Sequence, residues 1–433
     1  MRMLPVGLVL LLLAVACGGG EPPAPAIPSP SPAPAATASP SPAAASEAPV
    51  DAGEDGCPYA HNSDPSGEVD IVNLSDDFCR DWPDQDWSRH TVPFGQITRG
   101  CPIRDCILAL DAPGTVSTTD RYGVARFAPV DAVDYEDRLP IAVLRIGDVA
   151  RGYPLHILVI HEIVNDEVAG VPVVASFCPL CHTALAFDRR VEGDTLDFAV
   201  SGALRKSDLV MYDRNTETWW QQATGEAIVG RHAGVELLPL QMSVIAFRDF
   251  KHSFPEADIL TEDTGFGTTY GRTPFIGYDS KAYPPYASRV IDNRLPALER
   301  VITLEAGDTS IAVPFSTLSE IALARVDLAG TAVVVLWAPG TASALDELHI
   351  ATSRDVGSAA AYLPEVDGRV LTLAPDAPGR FRDEETGSVW DVTGLALSGP
   401  LAGSRLPPAA HSTQFWFAWT SFHPGTVVWE PPS

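Results

Sequence analysis

Apolar and polar positions alternate with a short period through most of the body of this chain. The run "AVLRIGDVARGYP" (142–154) reads as a hairpin, two short strands turning at Gly147-Asp148. "LHILVIHEI" (155–163) reads as a short helix, because the related run "FSTLSEIAL" (315–323) pairs Ser316 with Glu320 as helix-start chemistry. "EIVNDEVAGVPVVASF" (162–177) reads as two strands joined at Ala169-Gly170, the second nearly all apolar and therefore buried. Further hairpins are expected in "ALAFDRRVEGDTLDFAV" (184–200) and "LVMYDRNTETWWQQ" (209–222).

The same pattern returns later in the chain. Residues 143–187 align with residues 303–347 at a constant offset of 160 and without a gap, and 12 of the 45 positions are identical. The identities include Gly147-Asp148 with Gly307-Asp308, Pro154 with Pro314, Ala169-Gly170 with Ala329-Gly330, and Pro179 with Pro339. Farther on, Trp220 answers Trp390, Gly225 answers Gly394 and Gly234 answers Gly403. Both copies close on an aromatic stretch that ends at Pro255 or Pro424. The expected class is α+β, mainly antiparallel β with short helices, built as two related halves from an internal duplication. The organisation expected is a leader (1–17), a tether (18–56), a Cys-containing extension (57–132), a first repeat with the site (133–260), an irregular connection (261–296) and a degenerate second repeat (297–433).

The first residues change the picture of where this fold works. Arg2 precedes an apolar segment, 4–16, that is too short to span a bilayer, and small residues lead directly into Cys17. This reads as a lipoprotein signal peptide with Cys17 as the lipidated N-terminus. Residues 21–50 are rich in Pro, Ala and Ser and form an extended tether, reaching roughly 100 Å as polyproline II. The folded part is therefore expected outside the cytoplasm, anchored to the cell membrane or outer membrane through lipid. Apolar residues make up 45% of the chain, enough for a sizeable core. The formal net charge of −27 repels phosphate backbones and argues against nucleic-acid binding. No apolar run in the body reaches the roughly 18 residues of a membrane helix. A protein partner or small-molecule substrate is not legible.

Outside the cytoplasm, cysteines carry more meaning. With Cys17 assigned to lipid, Cys57, Cys79, Cys101, Cys106, Cys178 and Cys181 remain, an even set compatible with disulfides. The first four lie in the extension, where three pairings are open. Cys178 and Cys181 form an isolated C-x-x-C. The repeat singles them out: His156, His161, Glu162, Cys178, Cys181 and His182 face Ser316, Ile321, Ala322, Ala338, Thr341 and Ala342 in the second copy. Features common to both halves are scaffold, and features of one half are candidates for function.

Residues 153–190 ("YPLHILVIHEIVNDEVAGVPVVASFCPLCHTALAFDRR") and 201–230 ("SGALRKSDLVMYDRNTETWWQQATGEAIVG") resemble the bacterial domain-of-unknown-function family 3179. The resemblance is strong over residues 100–260 and looser beyond. His161, Glu162, Cys178 and Cys181 match the family's pattern. Members usually carry Asn where His182 stands, Arg where His156 stands, and Gly where Cys101 and Cys106 stand. The last departure suits an added disulfide between Cys101 and Cys106.

Four chemistries fit the C-x-x-C. Two thiolates with the His161 imidazole would bind copper or zinc and leave one position open, with Glu162, His182, His156 or Gln221 as further ligands or supporting groups. Cys178-x-x-Cys181-His182 also spells the c-type haem attachment motif, although no clear axial Met follows. Thiol–disulfide exchange and a plain disulfide are the other two. The expectation is a copper or zinc site, copper ahead, in a metal-handling or redox role, with enzyme activity undecided and a scaffold role open. A polar set, Arg205, Ser207, Asp208, Tyr212, Trp220 and Gln222, is expected as a pocket wall near the metal or as a hairpin network. Trp219 and Trp220 are expected in the core, His232 and His252 at the surface, and the aromatic run 415–429 in the core of the second half.

Overall fold

The computed structural model describes residues 81–113, 122–284 and 291–432. Cys17, Cys57, Cys79 and the tether lie outside the described residues. Strand β1 (Pro140–Ile146) turns at Gly147, φ 58°, into β2 (Val149–Pro154), and the two pair antiparallel from Ile141↔Pro154 to Ile146↔Val149. Pro154 hands the chain to the seven-residue helix α1 (Leu155–His161). Strands β3 (Ile163–Val168) and β4 (Val171–Cys178) follow, joined by Ala169 and Gly170, both at positive φ, which matches the twist of a tight hairpin. Strand β5 (Thr183–Asp188) pairs with the other edge of β4, so β4 is a central strand, buried from Val173 onward.

A second sheet holds β6 (Phe198–Arg205), β7 (Asp208–Asp213) and β8 (Trp219–Gln221), paired in that order. Strand Ile97–Arg99 of the extension pairs with the free edge of β6. Strand β9 (Met242–Ala246) returns to pair with β1 and runs into α2 (Phe247–Ser253). Short parallel pairs join Leu110–Asp111 to β3 and Asp258–Leu260 to β2.

The second half repeats this order of elements. Strands β10 (Arg300–Ala306) and β11 (Thr309–Pro314), helix α3 (Phe315–Ile321), and strands β12 (Leu323–Leu328) and β13 (Thr331–Ala338) have the lengths of β1, β2, α1, β3 and β4. Strand β14 (Val389–Asp391) carries Trp390. Strand β15 (His411–Phe415) and helix α4 (Trp416–Phe422) close the half as β9 and α2 close the first. Antiparallel sheets with four short helices are the architecture among the described residues. No helix among them is long and apolar enough to cross a membrane.

The helix-start expectation at α3 is corrected. Its N-cap is Pro314 with no side-chain cap, and the Ser316 amide donates to Glu299 Oε1 at 2.8 Å. The strand feeds straight into the helix, so Ser316 lies inside it and a neighbouring carboxylate takes the free amide. The two tryptophans behave as core: Trp219 and Trp220 are fully buried, as is Trp390. Trp220 Nε1 donates to Asp213 Oδ2 and Trp390 Nε1 to Asp383 Oδ2, each at 2.9 Å. The aromatic run divides: Phe415 and Phe417 pack into the large cluster that fills the first half, while Trp416 and Trp419 pack with Val301 and Ala312. Successive residues of a strand or helix point to different faces, so one aromatic run serves two cores. His232 is buried, not at the surface, with Nδ1 against Glu192 Oε2 at 3.1 Å, whereas His252 is exposed.

Candidate metal centre

Cys178 ends β4 opposite Thr183, so residues 179–182 make the turn into β5, with His182 at φ 55°. Asp208 opens β7 directly after the tight turn of Lys206 and Ser207, both in the left-handed region. Gln222 ties the two sheets together. Its Nε2 donates to Ser176 Oγ at 3.0 Å and to Thr183 O at 3.2 Å, and its Oε1 accepts from Thr183 Oγ1 at 2.7 Å. This brings the two turns face to face. The sulfurs of Cys178 and Cys181 and a carboxylate oxygen of Asp208 all lie within 4.8 Å of one another, and all three residues are buried. Both thiols are free, and Cys181 Sγ also lies 3.4 Å from Ser207 O.

The carboxylate is held from behind. Asp208 Oδ2 accepts from Gln221 Nε2 at 2.6 Å and from the Ala223 amide at 2.8 Å, and Gln221 Oε1 accepts from Arg205 Nη1 at 3.3 Å. The thiols of Cys178 and Cys181 hydrogen-bond to the same carboxylate. Burial pushes the Asp208 carboxyl up to about 6 against the pull of these donors. Burial pushes Glu162 up to about 8, and the Asp208 charge adds to the effect. Burial raises the Cys178 thiol and raises that of Cys181 well above its ordinary value.

The expected imidazole does not join the sulfurs. His161 Nδ1 faces Leu108 O at 2.7 Å, its Nε2 faces Tyr270 OH at 2.7 Å, and its ring stacks on Phe266. Both nitrogens are committed, and Asp208 takes the third place in the cluster. The physical reason is the end of α1: Glu162 adopts φ 58° and reverses the chain, so neighbouring side chains leave in different directions. His156 pairs with Glu262 at 3.0 Å. His182 Nε2 accepts from Arg300 Nε at 3.3 Å and its ring stacks on Phe415. Of the expected pocket wall, Ser207, Asp208 and Gln222 lie at the cluster. Tyr212 instead donates to Asp105, which also receives Tyr122, and Trp220 belongs to the core. The signal for Asp208 was present in the second half, which lacks a counterpart of the "LRKSD" stretch.

These positions weigh the chemistries. A thiol poised for exchange needs a lowered pKa and partial exposure, and both sulfurs have the opposite. A haem iron would need the His182 lone pair that Arg300 occupies. Cys178 and Cys181 are unbridged, while Cys101 and Cys106 form a disulfide. Two sulfurs and one buried carboxylate fit a small thiophilic cation.

The family model described as protein of unknown function (DUF3179) matches residues 119–426. Comparison with curated proteins and with solved structures gives no match. The match spans most of the chain, including both cysteines, Asp208 and the second half, and the chain belongs to the DUF3179 family.

Proposed function

We propose that this chain is an exported, lipid-anchored protein that holds one transition-metal ion on Cys178, Cys181 and Asp208. The observation that carries the reading is the buried triad, two sulfurs and a carboxylate oxygen within 4.8 Å of one another. Thiolates with a carboxylate in place of imidazole shift the preference from copper towards zinc, which accepts sulfur and oxygen together. Three protein donors leave one position open. Gln221 orients Asp208 from behind, and the buried Glu162 carboxyl is close enough to feel the Asp208 charge. The role is metal handling. Purified mature protein should carry about one zinc per chain by elemental analysis. A metal-free protein that takes up neither zinc nor copper would end the reading.

The two halves are read as copies of one duplicated unit. Support comes from the recurring element order and from the matched Trp220–Asp213 and Trp390–Asp383 bonds. The triad stands in one copy alone, since Ala338 and Thr341 replace the cysteines. A shared ancestor with a lost second site accounts for both facts.

Anchoring is expected through Cys17. Wild-type protein should sediment with membranes and be released by proteolysis within residues 21–50, and Cys17→Ser should be soluble. A fully membrane-bound Cys17→Ser protein would place the anchor elsewhere.

A further inference from the structure

Three consecutive residues of the cysteine turn are each bonded to a different segment outside the first half. Leu180 O accepts from Tyr278 OH of the connection at 3.0 Å. Cys181 O accepts from the Phe415 amide at the end of β15 at 2.9 Å. His182 Nε2 accepts from Arg300 Nε at the start of β10. The Lys206-Ser207 turn is held similarly: Lys206 Nζ donates to Ser421 O at 2.5 Å, and the Phe422 ring lies 5.0 Å from that ammonium.

Arg300 is the best-anchored member of this clamp. Its Nη2 donates to Asp279 Oδ2 at 2.6 Å and to Ser343 Oγ at 3.1 Å. Its guanidinium lies 5.2 Å from the centre of the Phe415 ring, the same ring that stacks on His182. Arg300 is buried, and burial works against its charge while Asp279 compensates.

Cys181 has no exposed surface and Cys178 only 2%, so nothing reaches the sulfurs unless a covering segment moves. Within the first half the cover is continuous sheet, β4 and β5 pairing over six residues and β6 with β7 over most of their length. Opening there breaks a ladder. At the two turns the cover from outside the first half is held by single hydrogen bonds from Tyr278, Phe415, Arg300 and Lys206 and by aromatic contacts instead of a ladder. Phe415 also packs into the large buried cluster. Contacts of this kind can open locally without breaking a sheet.

We propose that the second half, having no cysteine pair of its own, gates the centre of the first, with Arg300 as the latch on the cysteine turn. What passes the gate rests on the metal reading above; access to the two sulfurs does not. Arg300 acts through His182 and the turn, and is a positioning residue.

The test is the rate at which a small maleimide labels Cys178 and Cys181 in the folded full-length protein, read by mass spectrometry of the peptide that carries them. Wild type should label slowly. Arg300→Met should label faster by at least about tenfold, the factor expected from one lost charged hydrogen bond. The urea dependence of that rate should be shallower than that of global unfolding, as local opening requires. Phe381→Leu, which loosens a separate cluster of the second half, should leave the rate in water near that of wild type. Should Arg300→Met fail to fold, Lys206→Met is expected to act in the same direction from the other turn. A rate unchanged in the latch variants, or one that follows global unfolding, overturns the gate. Zinc titration of the same samples separates the two ideas: fast labelling without zinc uptake retires the metal and keeps the gate, and zinc uptake with unchanged labelling retires the gate alone.

Discussion

Asp208→Ala is expected to abolish stoichiometric zinc binding, while His161→Phe leaves it intact. The contrast follows from where the two side chains go. Asp208 lies with both sulfurs inside 4.8 Å, whereas both ring nitrogens of His161 are spent on Leu108 O and Tyr270 OH. Removing one of three protein donors leaves a two-coordinate dithiol in a dry site, which holds a divalent cation poorly. Cys178→Ser and Cys181→Ser should be as severe. Gln221→Ala should be milder, weakening binding by roughly 10–100-fold, because it removes only the donor that orients Asp208. Titration against a chromophoric chelator reads all five proteins. His161→Phe will lose stability, since it removes the partner of the Leu108 carbonyl and one of the two partners of the buried Tyr270 hydroxyl, so the comparison is made on folded protein. Undiminished binding by Asp208→Ala, or loss of binding in folded His161→Phe, would return the third ligand to the imidazole.

Trp220→Ala is expected to cost about 3–5 kcal/mol of stability, a large share of what a domain has. The ring is fully buried and packs against Phe198, with ring centres 5.8 Å apart. Its Nε1 also satisfies Asp213, whose other bonds hold the turn at Thr216. Truncation therefore leaves a cavity and a buried carboxylate oxygen short of a donor, two penalties that add. Trp390→Ala should cost about as much, because it repeats the same bond to Asp383 beside Thr386. Urea unfolding midpoints of the two variants measure this. A loss under about 1 kcal/mol in either would mean that the tryptophan is not the keystone of its sheet.

Much of the scaffold was legible because its signals are local. Turns at Gly147-Asp148 and Ala169-Gly170 require positive φ, and the apolar run of β4 has to be interior, so strand order and hairpin positions follow from short windows of sequence. Setting residues 143–187 beside residues 303–347 also isolated the cysteine pair, since Ala338 and Thr341 stand at the matching positions. The burial of His232 was not legible, because its partner Glu192 lies 40 residues away in the chain.

Asp208 stood in the polar set singled out by the sequence, and the tertiary structure brings it to the two sulfurs. The cysteine turn and the turn before Asp208 belong to different sheets, and a buried glutamine, Gln222, sets their approach. Local periodicity says which face of a strand is buried, but not which turn of another sheet it meets. The direction of His161 was equally hidden, because one residue with φ 58° at the end of α1 decides where both His161 and Glu162 point. Sequence determined the elements and singled out the cysteine pair of the first half, through backbone sterics, burial within a few residues and comparison of the two halves. The packing of sheet on sheet decided which side chains share the site, since those contacts join residues about 30 apart whose meeting no local pattern encodes.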